Sequence, residues 1–417
     1  VPRSLIAMQT HLSAEFSDSI EAKEAAAILR KCVHCGFCNA TCPTYQLLGD
    51  ELDGPRGRIY LIKQMLEGAA VTRSTQQHLD RCLTCLNCQT TCPSGVEYGH
   101  LVDIGRKLVE ERVERSPLDR AVRWSLREGL TSAWFAPLLR LGQALRPLLP
   151  KVLKNKVPAR IGGKSAPGAR AAQARKVLIL QGCVQPAMLP NIDRATERVL
   201  EVAGIEAVYA AGSGCCGALR THLNDSRGGL DDMRRNIDAW SSQLASGEIE
   251  AIISSASACA LAIKEYGHAL AHDAVYADRA RRISALARDL SELLPAMVPA
   301  LKERLRAAPK TRVAFHAPCT LQHGQRVRGV VETQLRALGF DVSATYDESH
   351  LCCGSAGAYS ILQPQIATQL RDRKLLNLAR LEPQLIVSAN IGCIQHLQSG
   401  TPTKVLHWIE MLDQALN

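Results

Sequence analysis

Apolar residues follow two different periods along the chain. Over roughly the first 115 residues they recur every three or four positions, as in Ile59, Ile62, Met65 and Leu66, which is typical of amphipathic helices. From Lys176 onward, short apolar runs alternate with helical segments, which indicates parallel strands joined by crossover helices. The pattern therefore predicts a helical N-terminal part followed by α/β structure.

The α/β part contains one unit twice, and in each copy three predicted strands each lead to cysteine. The strands are 177–180, 205–209 and 251–254, then 312–315, 340–342 and 385–388. The cysteines after them are Cys183, Cys215, Cys216 and Cys259 in the first copy and Cys319, Cys352, Cys353 and Cys393 in the second. Because ligands bind at the carboxyl edge of parallel strands, we expect the four thiols of each copy to meet. The repeated spacing indicates one structural unit used twice.

Two further cysteine runs lie in the helical part, at 32–43 and 82–93. Each has the spacing C-x2-C-x2-C-x3-C-P, which is the ligand pattern of bacterial two-cluster ferredoxins. In that pattern the fourth cysteine of each run binds the other cluster. The predicted [4Fe–4S] ligands are Cys32, Cys35, Cys38 and Cys92 for one cluster and Cys42, Cys82, Cys85 and Cys88 for the other. Zinc, which also accepts four thiolates, is the alternative.

The sixteen cysteines of this 417-residue chain fall into four groups of four. A long chain whose start shows no secretory signal pattern favours a reducing, cytoplasmic compartment, with thiolates reserved for metal. Alternatively, the adjacent pairs Cys215–Cys216 and Cys352–Cys353 serve as small buried apolar residues and do not bind metal. No apolar run approaches the roughly 18 residues of a transmembrane helix.

Charge is concentrated in one stretch of the chain. Of the net charge of +10, nine positive residues and no acidic residue lie between Arg146 and Lys176. This stretch is a solvated linker, or it contacts an acidic partner or the inner face of an anionic membrane. It lacks the interleaved aromatic residues of a nucleic-acid-binding segment, so we expect no nucleic-acid partner.

Residues 118–150 are amphipathic, with Trp124 and Trp134 set among arginines. Such a segment can lie in a membrane interface, or it can pack on the chain's own domains or on a partner subunit. Gly129 and Pro137 interrupt it, which favours packing.

We therefore expect an α+β multi-domain chain. A helical ferredoxin module with two [4Fe–4S] clusters is predicted at residues 10–115, and the amphipathic segment and basic linker at 116–175. Two tandem cysteine-rich α/β domains are predicted at 176–300 and 301–417.

Several polar residues near the cysteines have open roles. Arg56 and Arg58 either screen cluster charge, contact a partner or are surface charges at a helix start. Three roles are open for five histidines near the repeats: proton relay, metal binding and hydrogen bonding to loop backbone, of which we favour the last. These histidines are His222, His316, His323, His350 and His396.

The segments FHAPCTLQH, SHLCCGSAGAYS and SANIGCIQHL, with both ferredoxin-like runs, resemble a known family. They are similar to the CCG domains of heterodisulfide reductase subunits and to iron–sulfur subunits of flavin-linked 2-hydroxy-acid and glycerol-3-phosphate dehydrogenases. Among these, the chain resembles in particular the iron–sulfur subunits of bacterial glycolate oxidases.

The resemblance implies an electron-transfer subunit in a hetero-oligomer. Partner subunits would hold FAD and oxidise glycolate to glyoxylate, and this chain would pass electrons toward quinone or another acceptor. The chain carries no Gly-x-Gly-x-x-Gly fingerprint after a strand, and no catalytic residue is assigned to it. The alternatives are a sibling lactate or glycerol-3-phosphate dehydrogenase subunit, a catalytic quinone or disulfide reductase, and a zinc-structured scaffold.

The sequence departs from the heterodisulfide reductase pattern at one cysteine in each repeat. That pattern has five cysteines per repeat, whereas Ala256 and Asn390 stand here at the fifth positions. We expect one further iron–sulfur centre in each repeat, with a single metal ion or a degenerate site as the alternative.

Overall fold

The computed structural model describes residues 8–132, 134–146, 175–305, 310–344 and 346–416. Within these ranges, a helical N-terminal part is followed by two four-stranded parallel sheets with flanking helices. The predicted fold class is therefore confirmed. Most of the predicted basic linker, residues 147–174, lies outside the described ranges.

Short helices build the ferredoxin module around the two cysteine runs. Ser19 caps the first helix through its side chain, and Pro43 and Pro55 occupy first-turn positions that need no amide hydrogen. Leu29, Ile62, Leu66 and Leu101 pack in the core of this module. The helices are Ile20–Leu29, Phe37–Ala40, Pro43–Leu48, Pro55–Leu66, Arg73–Asp80, Asn87–Thr91 and Tyr98–Arg112, with 3₁₀ turns at Ala14–Phe16 and Glu51–Asp53.

The amphipathic segment forms the helices Pro117–Thr131 and Phe135–Ala144. No described residue of either helix is buried, and the side chains of Leu118 and Trp134 are more than two-thirds exposed. The segment therefore adds no residue to the core, but it does contact the chain's own domains, since Arg123 pairs with Asp80 and the second helix packs on the helix Gln185–Met188. Ion pairs hold the first helix in place instead, as between Arg220 and Glu128 at 2.8 Å.

The first repeat is a parallel sheet in the order β2-β1-β3-β4. Its strands are β1 Arg175–Ile179, β2 Ile205–Val208, β3 Ile249–Ser254 and β4 Ala287–Asp289. Its helices are Gln185–Met188, Pro190–Val202, Ala218–His222, Ser226–Ala245, Ser257–Lys264, Tyr266–Ala269, Ala277–Leu286 and Leu290–Arg304.

The second repeat has the equivalent order β6-β5-β7-β8. Its strands are β5 Val313–His316, β6 Val342–Ser343, β7 Leu385–Ser388 and β8 Lys404–His407. Its helices are Val330–Ala337, Tyr359–Leu362, Pro364–Ala379, Ile391–Gln398 and Trp408–Leu416, with a π turn at Thr320–Gly324. In the register, Val313 pairs with Val342 on one side and with Leu385 on the other.

Each sheet has a fourth strand that the hydrophobic pattern does not predict. β4 has three residues with the charged Arg288 at its centre, and β8 begins with an exposed lysine. These strands lie at the edge of their sheets, so neither needs the continuous apolar run of a central strand.

The two repeats share one hydrophobic core. Val177 and Ile192 of the first repeat belong to the same packed cluster as Val313 and Trp408 of the second. The last helix, which begins at Trp408, also packs on the helix Pro190–Val202. We therefore expect the repeats to unfold together.

Replacing Trp408 by alanine tests this shared core. Its side chain is fully buried, and we expect Trp408→Ala to lower the free energy of unfolding by about 3–5 kcal/mol. Trp124→Ala, at an exposed position, should change it by less than about 0.5 kcal/mol. Urea unfolding followed by circular dichroism measures both values. Equal small effects in the two variants would contradict the shared core.

Candidate functional site

Four thiols lie together in a pocket of the ferredoxin module. Cys32, Cys35, Cys38 and Cys92 all line it, although Cys92 comes from the other cysteine run. Burial, followed by the charges of the other three thiols, raises the pKa of Cys38 to about 12. Cys35 is exposed, so this group opens to solvent. The Arg56 side chain also lines the pocket and donates to Glu51 at 2.6 Å.

A second group of thiols lies deeper in the same module. Cys85 and Cys88 are buried among the charges of Cys42 and Cys82, and burial raises the pKa of both well above the ordinary thiol value. The Tyr98 hydroxyl donates to the Cys82 sulfur at 3.7 Å. The structure thus brings together the four thiols that the sequence assigns to the second cluster.

A buried ion network supports the second group. Arg58, which is 1% exposed, donates to the His78 carbonyl at 2.7 Å and to the Thr44 hydroxyl at 3.2 Å. Thr44 in turn contacts the Cys42 sulfur at 3.2 Å. The carboxylate of Asp53 accepts from Arg58 at 3.4 Å and from Arg81 at 2.8 Å. The interpretation of Arg58 as a surface charge is therefore wrong, because the residue is a buried support of the Cys42 loop.

The thiols of the second repeat meet at the carboxyl edge of its sheet. The sulfur atoms of Cys319 and Cys352 lie 3.9 Å apart, and Cys353 is in side-chain contact with both Cys352 and Cys393. This group touches the ferredoxin module, since Cys352 packs in one cluster with Cys85.

The four thiols of the first repeat are arranged in the same way. Cys215 is in side-chain contact with Cys183 and Cys216, and Cys216 is in contact with Cys259. The hydrogen bonds from Cys183 and Cys216 lower the pKa of Cys215. Asn236 holds the loop by donating to the Cys215 carbonyl at 2.7 Å.

The carboxyl edges of the two sheets, where the thiols lie, face each other. The Ser257 amide donates to the Ala389 carbonyl at 3.0 Å, and the Ser257 and Thr320 hydroxyls lie 2.7 Å apart. Ser257 comes two residues before Cys259, and Thr320 follows Cys319. The thiol groups of the repeats are therefore neighbours across this contact.

The glycine after each cysteine pair has a specific role. Gly217 and Gly354 have φ angles of +88° and +89°, which glycine adopts without strain. In this conformation their amides donate to the sulfur atoms of Cys215 and Cys352, both at 3.4 Å. The Cys-Cys-Gly sequence thus supplies two thiols and one amide donor at each sheet edge.

At the second-repeat site, the sequence interpretation did not foresee the contact that Asn390 makes with sulfur, and it missed Lys374 altogether. Asn390, at the fifth position, points its amide to the Cys393 sulfur at 3.8 Å. Lys374 is 2% exposed, and burial lowers its pKa to about 8, while its ammonium group donates to the Glu348 carbonyl at 2.7 Å. Its helical segment has many charged residues, so the sequence does not distinguish this lysine from those on the surface.

The histidines mainly make structural hydrogen bonds. The rings of His323 and His396 bond to the carbonyls of His350 and Ala367, at 2.8 and 3.0 Å. The His316 ring contacts the Ser388 hydroxyl, and burial lowers the pKa of His316 to about 3. The favoured role as backbone partners is confirmed for His323 and His396.

The donor set of the four groups fits iron–sulfur clusters. Each group consists of four thiols, which are the usual ligands of a cubane cluster, and all sixteen cysteines are free of disulfides. No carboxylate or imidazole is needed to complete any of the four sets.

Two family models match the chain. Residues 28–96 match the 4Fe-4S dicluster domain, and residues 177–264 and 313–398 each match the cysteine-rich domain. The matches cover both ferredoxin-like runs and both repeats.

The chain is 53% identical to the glycolate oxidase iron-sulfur subunit of Escherichia coli over 98% of its own length and 99% of that protein. It belongs to the glycolate oxidase iron-sulfur subunit family. The probable glycolate oxidase iron-sulfur subunit of Bacillus subtilis is 27% identical over 93% of this chain and 91% of its own length. The lactate utilization protein A of Bacillus licheniformis is 25% identical, over 57% of this chain and 99% of its own length.

A solved structure shares the fold. A hypothetical protein from Helicobacter pylori matches with a TM-score of 0.54 at 10% identity, over 97% of this chain and 74% of that one. Among the described residues of this family member, no helix is both long and apolar enough to cross a membrane.

Replacing the glycine of the second Cys-Cys-Gly segment tests its role. A Cβ at Gly354 would lie 2.5 Å from the Ala367 carbonyl oxygen, in addition to the positive φ. We expect Gly354→Ala to cost about 3–4 kcal/mol of unfolding free energy, from strain and overpacking. Gly357→Ala is the control, because Gly357 also has a positive φ but open space around it, and should cost about 1–2 kcal/mol. Equal losses in thermal unfolding would contradict the close approach.

Proposed function

We propose that this chain carries electrons from FAD-containing partner subunits to a further acceptor in a glycolate oxidase complex. The name of its Escherichia coli relative, a glycolate oxidase subunit, supports the choice of substrate. Oxidation of glycolate to glyoxylate takes place in the partner subunits under this proposal, and this chain binds no substrate.

The proposal rests on one observation, which is that three of the thiol groups contact one another in series. The pocket of the first group also includes Cys88 of the second. Cys85 of the second group packs with Cys352 of the second repeat. Electron transfer needs carriers that lie close together, and this sequence of groups supplies neighbouring positions from the exposed Cys35 to the buried sheet edge.

Each thiol group holds one iron–sulfur cluster in this proposal. Such clusters, when bound, supply one-electron carriers whose potentials depend on hydrogen bonds, charge and burial. The chain's own residues provide these influences differently at each group. The Gly217 and Gly354 amides and the Asn390 side chain donate to sulfur at the repeats, whereas Tyr98 donates in the ferredoxin module.

The exposed thiol group marks where a partner subunit docks in this proposal. Val33, in the loop that carries Cys35, is 37% exposed, and Phe37, which begins the helix after this loop, is 61% exposed. Apolar side chains beside a functional group are typical of interaction surfaces. A partner that covers this loop brings its flavin toward the first group of the relay.

Metal content and reduction by substrate test the proposal. Four cubane clusters require about sixteen iron atoms and about sixteen labile sulfides per chain in anaerobically purified protein. Cys352→Ser should lower the iron content by about four atoms and leave the ferredoxin-module signals in electron paramagnetic resonance unchanged. About eight iron atoms in the parent chain, or zinc in their place, would contradict the assignment of the repeats.

The same protein preparation distinguishes between the possible substrates of the complex. Glycolate should reduce the clusters when the partner subunits are present and leave the isolated chain oxidised. Lactate and glycerol 3-phosphate serve as comparison substrates. Faster reduction by either one would assign the chain to a sibling complex.

We further propose that the chain is cytoplasmic and that the two exposed helices contact the inner face of the membrane, where quinone is available. Leu118 and Trp124 are exposed on the first of these helices, and Trp134 is exposed immediately before the second; the helices also carry Arg120 and Arg140. Exposed tryptophan and leucine beside arginine is the pattern of a helix that lies in the interface of an anionic bilayer.

Vesicle flotation tests this membrane contact. The complex should float with vesicles containing anionic lipid, and Trp124→Ala combined with Trp134→Ala should reduce the bound fraction at least about threefold, because interfacial binding scales with buried apolar area. Leu376→Ala, which removes an apolar side chain that is 64% exposed on the second repeat, is the matched control. Unchanged flotation of the double variant would assign the helices to a partner subunit.

A further inference from the structure

Two histidines and two glutamates form a cluster that none of the thiol groups includes. The imidazole rings of His100 and His268 stack with their centroids 3.7 Å apart and their planes 6° from parallel. His268 Nε2 lies 2.8 Å from Glu24 Oε1, and His100 Nδ1 lies 3.9 Å from the same oxygen. His100 Nε2 lies 3.0 Å from Glu265 Oε2. Each imidazole therefore faces a carboxylate.

The cluster joins two parts of the chain. Glu24 lies on the helix Ile20–Leu29 and His100 on the helix Tyr98–Arg112, both in the ferredoxin module. His268 lies on the short helix Tyr266–Ala269 of the first repeat. The side chains are about one-third to one-half exposed, so an ion from solvent can reach them.

Two lysines of the ferredoxin module pair with carboxylates other than Glu24. Lys107 binds Glu21 at 2.6 Å, and Lys31 forms an ion pair with Glu97. Glu24 itself pairs with the two histidines. Two stacked imidazoles repel each other if both are protonated, so their lone pairs are better used by a shared cation than by two protons.

We propose that Glu24, His100 Nδ1 and His268 Nε2 bind a divalent cation of the zinc type. One ligand atom from each of these residues lies within 4.8 Å of the others, which a small side-chain adjustment brings to the separation found around a tetrahedral ion. Three protein ligands and one water complete a four-coordinate site.

The position of Glu265 supports this assignment independently. A histidine that binds metal through one ring nitrogen usually donates its other N–H to a carboxylate, which fixes the tautomer. Glu265 occupies that position at His100 Nε2, and this leaves Nδ1 as the free donor on the side of Glu24. The proposed ion would thus fasten the first repeat to the ferredoxin module without using any cluster thiol.

X-ray absorption at the zinc edge tests the site in the cluster-loaded chain. The protein is freed of loosely bound metal with a chelator and then given one equivalent of zinc chloride. We expect one bound zinc with nitrogen and oxygen ligands at about 2.0–2.2 Å, and no sulfur at about 2.3 Å. Zinc with sulfur ligands, or no bound zinc, would overturn the proposal.

Four variants localise the bound zinc. His268→Ala and Glu24→Gln should abolish tight binding, and Glu265→Gln should weaken it about 10–100-fold. His272→Ala, at an exposed histidine of the same repeat, is the control and should bind as the parent does. Iron content must stay equal in all variants, so that a loss of zinc is distinguished from a loss of clusters. Zinc that persists with nitrogen and oxygen ligands in both His268→Ala and Glu24→Gln would place the ion elsewhere and refute the proposal.

Discussion

Sulfur atoms from distant parts of the sequence have to be held within a few ångströms of one another, and much of the structure serves this constraint. In each repeat, three parallel strands end at one edge of the sheet, so short loops bring four thiols together. The described residues of the ferredoxin module form no sheet, and buried polar groups hold its cysteine loops instead. Arg58 and Asp53 fix the loop of Cys42 from inside the core, which explains why such a costly pair of charges is buried there.

The grouping of the thiols is accessible from the sequence because it depends on spacing and topology alone. The C-x2-C-x2-C-x3-C-P runs and the similar intervals between strand ends in the two repeats are repeated signals. The two edge strands are not accessible in this way, since β4 contains Arg288 and needs no apolar run. The burial of Lys374 is equally hidden, because its carbonyl partners lie 25 and 26 residues away.

The chain also uses the same repeat in two different surroundings. The second repeat contacts the ferredoxin module directly at its thiol group, where the Tyr359 hydroxyl donates to the Arg81 carbonyl at 2.9 Å. The first repeat contacts the module at the cluster of Glu24 and His100, and it contacts the second repeat through the shared core and through Ser257. Two copies of one unit thus hold different positions relative to the electron path.

This asymmetry explains why a cation bound at the stacked histidines would affect the structure. The second repeat is fastened to the module by apolar packing around Leu83, which does not require a bound ion. The first repeat meets the module through polar, partly exposed side chains, and such contacts contribute little to stability in water. A bound cation replaces several weak contacts by strong ligand bonds, and the distance from His100 to His268 would then be set by the ion. The weaker of the two junctions is therefore the one where a metal has the larger effect on how rigidly the repeats are held.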